Sequence, residues 1–159
     1  MIAPKAFCIR KATECDKDVI AFVYAACFGK TLTAAAVDEL LRGTGCWAFI
    51  LEVKGPKNNI IPVGFVIGRS ILDEAEILYI GVDCEFQRYG FALELMQSAI
   101  KEAKARRATM LYLEVAEDNH PACNLYKRLG FDAVGRRQGY YLKADGSRVD
   151  AINLSFKIT

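Results

Sequence analysis

The chain has 159 residues, of which 53% are hydrophobic and 25% are charged, and its formal net charge is +2. The length fits one domain, 1–159, because domains commonly contain about 150 residues, and the composition is globular and not disordered. The small net charge gives no support to bulk nucleic-acid binding, and the longest apolar run, near VIAFVYAACF, is too short to cross a bilayer.

The first half of the chain predicts one strand, then two helices, then three strands. AFCIRKA at 6–12 predicts a strand, and apolar residues at helical spacing predict a helix over 16–28. Thr33 is placed to cap a second helix that runs to Leu41, with Gly43 and Gly45 after its end. Three further strands are predicted over 46–53, 61–71 and 75–82, with a turn, KGPKNN, at 54–59.

The second half begins with a long amphipathic helix over 91–107. TMLYLEVA at 109–116 alternates as a strand does, and 121–129 predicts a helix with Pro121 at its first position and Gly130 just past its end. The chain closes with a hairpin of 131–142 and 147–158. Strands at both ends with helices between them predict an α+β (mixed α/β) fold.

The six cysteines match neither a C-x-x-C motif nor a zinc spacing; they are Cys8, Cys15, Cys27, Cys46, Cys84 and Cys123. We expect buried free thiols in a reducing compartment. The first residues have no long apolar core of the kind that a signal peptide has. A cytoplasmic protein without a metal is the resulting prediction.

The stretch QRYGFA, 87–92, joins a predicted strand to the start of the long helix. Such a helix start offers unpaired backbone N–H groups to an anion, and Arg88 could neutralise a phosphate. It is neither a P-loop nor a dinucleotide fingerprint. The alternative is structural: Gly90 merely lets the chain turn.

Polar residues that could perform chemistry follow in YLEVAEDNHPACNLYKRLGF, 112–131. Glu114 lies on the less apolar face of a strand, Asn119 directly precedes a helix, and Tyr126 lies in the middle of that helix. Singly, these are a solvated residue, a cap and a core tyrosine. Together they offer a carboxylate base, a polar anchor and a phenol acid.

These motifs resemble those of the GNAT acetyltransferases. VDCEFQRYGFA resembles their acetyl-CoA signature, Q/R-x-x-G-x-G/A, with Ala92 where a third glycine is common, and LEVAEDNHPACNLYKRLGF is similar to the strand and helix that follow it. VGRRQGYYLKADGSRVDAINL is similar to the RimI branch, the ribosomal-protein alanine N-acetyltransferases. The resemblance implies a central, mostly antiparallel twisted sheet of six to seven strands flanked by about four helices.

The resemblance also implies roles for individual residues. Glu114 would be the base and Tyr126 the acid, with a backbone N–H of YIGV, beside Gly81, as the donor to the oxyanion. The residues implied to bind the cofactor are Ile80, Gly81, Val82, Gln87, Arg88, Tyr89, Gly90, Phe91, Ala92 and Asn119. A peptide groove is expected at GRRQGYY, with Arg137, Tyr140 and Tyr141 as substrate-binding residues; the alternative is that the tyrosines only alternate on a strand while the arginines face solvent.

The implied reaction moves the acetyl group of acetyl-CoA to a primary amine, most specifically the N-terminal alanine of a ribosomal protein. No metal, nucleic acid or membrane is expected, and the protein would be a monomer or weak dimer. Two segments depart from the RimI pattern where substrate preference could be set: CFGKTLT at 27–33 lacks a proline–tryptophan pair, and 54–59 is long and basic. Two alternatives remain. The nearer is a GNAT enzyme for a small amine or a lysine side chain. The more distant is a non-catalytic CoA-binding or partner-binding module, against which the presence of both Glu114 and Tyr126 weighs.

Overall fold

The computed structural model describes residues 6–159. Their seven strands form one sheet in the order β1-β2-β3-β4-β5-β7-β6. The strands are β1 Phe7–Lys11, β2 Cys46–Lys54, β3 Ile60–Ile71, β4 Glu74–Val82, β5 Met110–Ala116, β6 Asp132–Leu142 and β7 Arg148–Lys157. The α-helices are α1 Lys17–Phe28, α2 Ala34–Arg42, α3 Phe91–Ala105 and α4 His120–Leu129. The predicted mixed α/β class, with its mostly antiparallel sheet and four helices, is confirmed.

Helix ends follow the capping residues in the sequence. The Thr33 side chain accepts a hydrogen bond from the Ala36 N–H, and Gly43 directly follows α2, as predicted. One detail was wrong: Pro121 is the second residue of α4 and not the first, because Asn119 is the N-cap and His120 begins the helix. Gly130 ends α4 in the left-handed region, with φ of 95°.

Helices cover both faces of the sheet and create two cores. On one face α1 and α2 bury Ile20, Val23 and Val37 against alternate residues of β2 and β3. On the other face α3 and α4 pack against the remaining alternate residues, with Leu95 and Leu111 fully buried. We refer to these as the α1–α2 face and the α3–α4 face.

β4 and β5 form the parallel pair of the sheet, and α3 is the crossover that a parallel connection needs. Their pairing covers only Glu74 to Glu76 against Met110 to Tyr112. Residues 77–82 of β4 and 113–116 of β5 therefore have no pairing with each other, although β4 still pairs with β3 and β5 with β7. This gap, the β4–β5 split, opens the middle of the sheet.

The expectation of buried thiols was wrong for half of the cysteines. Cys8, Cys15 and Cys84 are exposed, and the other three are partly exposed. The physical reason is position: Cys8 lies on the edge strand β1, while Cys15 and Cys84 lie in short 3-10 turns that flank α1 and β4. All six are free thiols.

Candidate active site

Backbone groups of β4 are free to meet a ligand in the β4–β5 split. The Asp83 N–H donates to Val63 O of β3 at 2.8 Å. Because neighbouring residues of a strand direct their backbone groups to opposite sides, Gly81 also faces β3, whereas Ile80 and Val82 face the split. The Val82 carbonyl is already taken by the Gln87 side chain at 3.2 Å. Ile80 thus offers an unpaired N–H and C=O.

Gly81 is needed for helix packing. A Cβ built at this glycine would lie 2.9 Å from Cys27 Sγ and 3.1 Å from the Phe28 ring, both at the end of α1. Contacts below 3.0 Å force a neighbour to move. The absent side chain therefore lets α1 approach β4 on the α1–α2 face. The backbone groups that face the split belong to the residues on either side, Ile80 and Val82.

The predicted phosphate loop forms a tight turn into α3. Arg88 and Gly90 both have left-handed backbones, with φ of 68° and 82°. Gly90 is the N-cap of α3 and cannot supply a side-chain cap, so the first N–H groups of the helix keep no side-chain partner there. A Cβ built on Gly90 meets no atom within 4 Å. The helix start therefore faces open space, next to the exposed Arg88, and suits an anion.

Other loop residues anchor the turn. Phe91 is 4% exposed, and its ring packs on Phe7 at 5.4 Å and on Tyr89 at 5.9 Å between centroids. Ala92 is half-buried in the first turn of α3. Of the six predicted loop residues, Gln87, Tyr89 and Phe91 use their side chains to hold the turn, so any ligand contact falls to backbone groups and to Arg88.

Glu114 is ion-paired with Arg137. Arg137 Nη1 donates to Glu114 Oε1 at 2.9 Å, and the guanidinium carbon lies 4.1 Å from the centroid of the Tyr140 ring. The pair joins β5 to β6, which are not neighbours, because β7 lies between them. Glu114 is opposite Asn153, and Arg137 is opposite Ala151. The ion pair therefore crosses the face of β7.

The two predicted substrate tyrosines lie beside this pair at an irregularity of β6. The register with β7 shifts between Arg137 and Tyr141, and Asp150 fixes the shift by accepting the Gly139 N–H at 2.8 Å and Arg136 Nη1 at 2.7 Å. Tyr140 is 48% exposed, and its ring centroid lies 5.1 Å from that of Tyr141. Burial, then the charge of Glu114, raises the pKa of Tyr141.

Tyr126 lies on the α3–α4 face of the sheet, opposite the face that carries Glu114. Its side chain is 5% exposed and packs on Phe131 at 5.7 Å. Burial raises its pKa to about 12, with smaller contributions from Cys123 and Tyr141. Tyr141 therefore lies within electrostatic range of both Glu114 and Tyr126. The sequence could not show this, because α4 and β6 approach each other only through the fold.

Asn119 caps α4. Its side-chain oxygen accepts the Ala122 N–H at 3.3 Å, which leaves the side-chain NH₂ as the end that a ligand could use. His120 is the exposed first residue of the helix. Within residues 6–159, no group of three or more His, Cys, Asp or Glu is arranged to hold a metal, and no helix is long and apolar enough to cross a membrane.

Two pockets flank the split without filling it. One, of about 610 Å³, lies between α2 and β2–β4, and Leu78 and Tyr79 of β4 form part of its wall. The other, of about 320 Å³, lies between α4 and the β5–β7 surface beside Cys123. The first opens on the α1–α2 face, the side that carries Glu114.

Sequence reasoning missed two features of the site: the Arg137–Glu114 ion pair, and Asn153, which faces Glu114 from the next strand. Only one local signal pointed to Asn153, namely a polar residue in the otherwise apolar run AINLSF. The partner of Glu114 had no signal at all, since 23 residues separate it from Arg137.

The chain thus forms a seven-stranded mixed sheet in which the two parallel strands separate beside an open helix start. The sequence profile of the acetyltransferase (GNAT) family matches residues 24–131. The chain belongs to the acetyltransferase (GNAT) family.

Within this family, the chain is similar to proteins named as N-acetyltransferases. The chain is 38% identical over 96 residues to the [ribosomal protein bS18]-alanine N-acetyltransferase of Haemophilus ducreyi, an alignment that covers 60% of this chain and 65% of that protein. It is 33% identical over 117 residues to the N-alpha-acetyltransferase RimI of Mycobacterium tuberculosis, covering 65% and 72% of the two chains. The alignment with the Haemophilus ducreyi protein thus spans just under two thirds of that relative.

A solved structure agrees along almost the whole chain. The crystal structure of the ribosomal-protein-S18-alanine N-acetyltransferase from Escherichia coli superposes with a TM-score of 0.84 at 27% identity. The superposition covers 97% of this chain and 95% of that one. The split sheet and both helical layers are therefore within the matched region.

Proposed function

We propose that the protein is an acetyl-CoA-dependent N-acetyltransferase that acts on a protein N-terminal amine, with the alanine of a ribosomal protein as its acceptor. One observation carries the proposal: Glu114 lies at a split in the sheet whose other end meets the open start of α3. A donor with a phosphate at one end and a reactive thioester at the other fits that arrangement.

The α3 start would hold the pyrophosphate of acetyl-CoA. Its N–H groups and helix dipole favour negative charge, and Arg88 adds a cation. The pantetheine arm would then run along the split, where Ile80 and Val82 present backbone groups in the manner of a missing strand. The thioester would lie towards the closed end of the split, and the Ile80 N–H is the donor best placed for the oxyanion.

Glu114 would remove the proton from the acceptor amine. A free α-amine has a pKa near 7.7–8.0, so much of it is protonated at neutral pH and must lose a proton before it attacks. Arg137 now occupies the carboxylate, with half of its side chain exposed. Exposed ion pairs contribute only about 0–1 kcal/mol, so an incoming ammonium replaces the guanidinium at little cost.

Tyr126 would donate to the departing thiolate. Its pKa of about 12 keeps the phenol protonated at every physiological pH. A thiol has a pKa of about 8.5, so complete proton transfer from this phenol to the thiolate is uphill by roughly three and a half pKa units, or about 5 kcal/mol. Tyr126 therefore acts best as a hydrogen-bond donor to sulfur while the C–S bond breaks, and positioning supplies much of the rate.

The acceptor assignment draws on the names of the relatives and on the α1–α2 face. Tyr140 and Tyr141 stand beside Glu114 and offer ring faces and hydroxyls to an extended peptide. The Haemophilus ducreyi relative is named as a [ribosomal protein bS18]-alanine N-acetyltransferase. The departures at 27–33 and 54–59 lie where substrate preference could be set, so they concern the identity of the acceptor more than the reaction.

The test compares three acceptors with mass-spectrometric detection. A hexapeptide that begins with alanine should be acetylated, whereas the same peptide with a blocked N-terminus and an internal lysine, and spermidine, should not be. Tyr141→Ala should raise KM for the first peptide more than it lowers kcat, and Phe22→Ala, which removes an aromatic ring that is 67% exposed on α1, should change neither. Preferred turnover of spermidine or lysine would remove the acceptor assignment, and acetyl-CoA binding without any turnover would indicate a non-catalytic module.

A further inference from the structure

Asn153 lies next to the proposed base. It is the β7 residue directly opposite Glu114 of β5, and on its other side it is opposite Gly135 of β6. Directly opposed residues of antiparallel strands project from the same face, so the Asn153 side chain shares the α1–α2 face with Glu114. The Arg137–Glu114 ion pair crosses β7 at this place.

The Asn153 amide is incompletely satisfied. Among residues 6–159, two buried side-chain atoms lack a hydrogen-bond partner, Asp38 Oδ1 and Asn153 Oδ1. The other oxygen of Asp38 is paired with Arg42 at 2.8 Å, so Asp38 has a partner, whereas no bond to the Asn153 oxygen exists. A buried acceptor without a donor is destabilising, and such exceptions call for an explanation.

The nitrogen end of the Asn153 amide, and not the oxygen, lies next to β6. A Cβ built on Gly135 would lie 3.3 Å from Asn153 Nδ2, so the nitrogen end is directed to β6. The oxygen is not among the three atoms nearest to that Cβ, so it lies farther from Gly135 than the nitrogen does. A donor brought in by the substrate would complete the bonding.

We propose that Asn153 recognises the acceptor as a peptide: its side-chain oxygen accepts the first peptide N–H of the substrate once the substrate amine has replaced Arg137 at Glu114. Along a chain, the first peptide nitrogen lies about 3 Å from the α-nitrogen, and opposed residues of neighbouring strands lie about 5 Å apart. An amine at Glu114 therefore places the next N–H over β7. The inference rests on the proposed function, and it names a contact that spermidine could not make.

Asn153→Leu and an N-methylated substrate test the contact together. The substrate is the alanine-starting hexapeptide, with or without a methyl group on its first peptide nitrogen. In the wild type, methylation should lower kcat/KM about tenfold, mainly through KM. Asn153→Leu should lower kcat/KM for the plain peptide by a similar factor and should show little further loss with the methylated one.

The thermal midpoint, Tm, distinguishes substrate recognition from a role in stabilising the fold. If Asn153 only stabilised the fold, its replacement would lower the Tm. Removing an unsatisfied buried oxygen should raise the Tm of the free protein by about 2 °C or more, although activity falls. Asn124→Leu, an exposed amide on α4, is the matched control and should leave kcat/KM for both peptides unchanged.

Three results would overturn the proposal. One is an equal effect of methylation on the wild type and on Asn153→Leu while the plain peptide is still acetylated, which would leave the proposed function intact. Another is a lower Tm with a displaced pH–rate profile in Asn153→Leu, which would mean that the amide donates to Glu114. The third is failure of the wild type to acetylate any peptide, which would remove the proposed function and this contact with it.

Discussion

Gly90 offers a clean test of the proposed phosphate site, because the chain contains a matched control. Gly90 and Gly146 have φ of 82° and 86°, and a Cβ on either one meets no atom within 4 Å. Gly90 caps α3, whereas Gly146 lies in the turn between β6 and β7. Any substitution at the two positions should therefore cause the same backbone strain and no steric clash within the protein.

The magnitudes separate strain from ligand binding. An L-residue in the left-handed region costs about 1–2 kcal/mol, which lowers the Tm of a protein of this size by about 2–8 °C. We take a separation of about 5 Å between a glutamate carboxylate at position 90 and a phosphate at the start of α3. At an effective dielectric constant of about 20, each pair of unit charges then repels by about 3 kcal/mol, or more than 100-fold in affinity.

We expect Gly90→Glu and Gly146→Glu to lose similar amounts of thermal stability, and only Gly90→Glu to lose acetyl-CoA binding in isothermal titration calorimetry. The acetyl-CoA affinity of Gly90→Ala should lie between those of the wild type and Gly90→Glu, since the methyl group of alanine adds bulk without charge. Equal acetyl-CoA affinity in the two glutamate variants would refute the reasoning and leave Gly90 as a residue of the turn alone.

Three further predictions concern protons. Glu114→Gln should lower kcat/KM by about 100-fold and flatten the acidic limb of its pH profile; an unchanged profile would exclude Glu114 as the base. Because the pKa of Tyr126 is about 12, Tyr126→Phe should lower kcat by one constant factor from pH 6 to 10, and a loss confined to high pH would contradict its assignment. The Arg10 hydrogen bond holds the pKa of Asp16 at about 2, below 3.8. This carboxylate therefore stabilises the fold above pH 4, and the stabilisation is lost as the pH falls from about 4 to 2. Asp16→Asn should cost about 2 kcal/mol at pH 7 and weaken the acid dependence of urea unfolding; the same slope in both proteins would speak against the pair.

Local pattern in the sequence determined the elements and their ends. Alternation along 109–116 predicted a strand, and Thr33 predicted the start of α2, because side-chain periodicity and capping act over a few residues. The helix start predicted after Gly90 is where α3 begins, at Phe91. The same local chemistry joined Glu114, Asn119 and Tyr126 into one candidate site, since all three lie within a single strand and helix.

The tertiary structure alone decided which of these residues face one another. Insertion of β7 between β5 and β6 brings Arg137 over to Glu114 and places Asn153 beside it. Early separation of β4 from β5 leaves residues 77–82 and 113–116 unpaired with each other. The glycine at position 81 is explained by the end of α1, where a Cβ on residue 81 would lie 2.9 Å from Cys27 Sγ. Strand order and helix docking depend on contacts between residues far apart in the chain, and no periodicity within a segment carries that information.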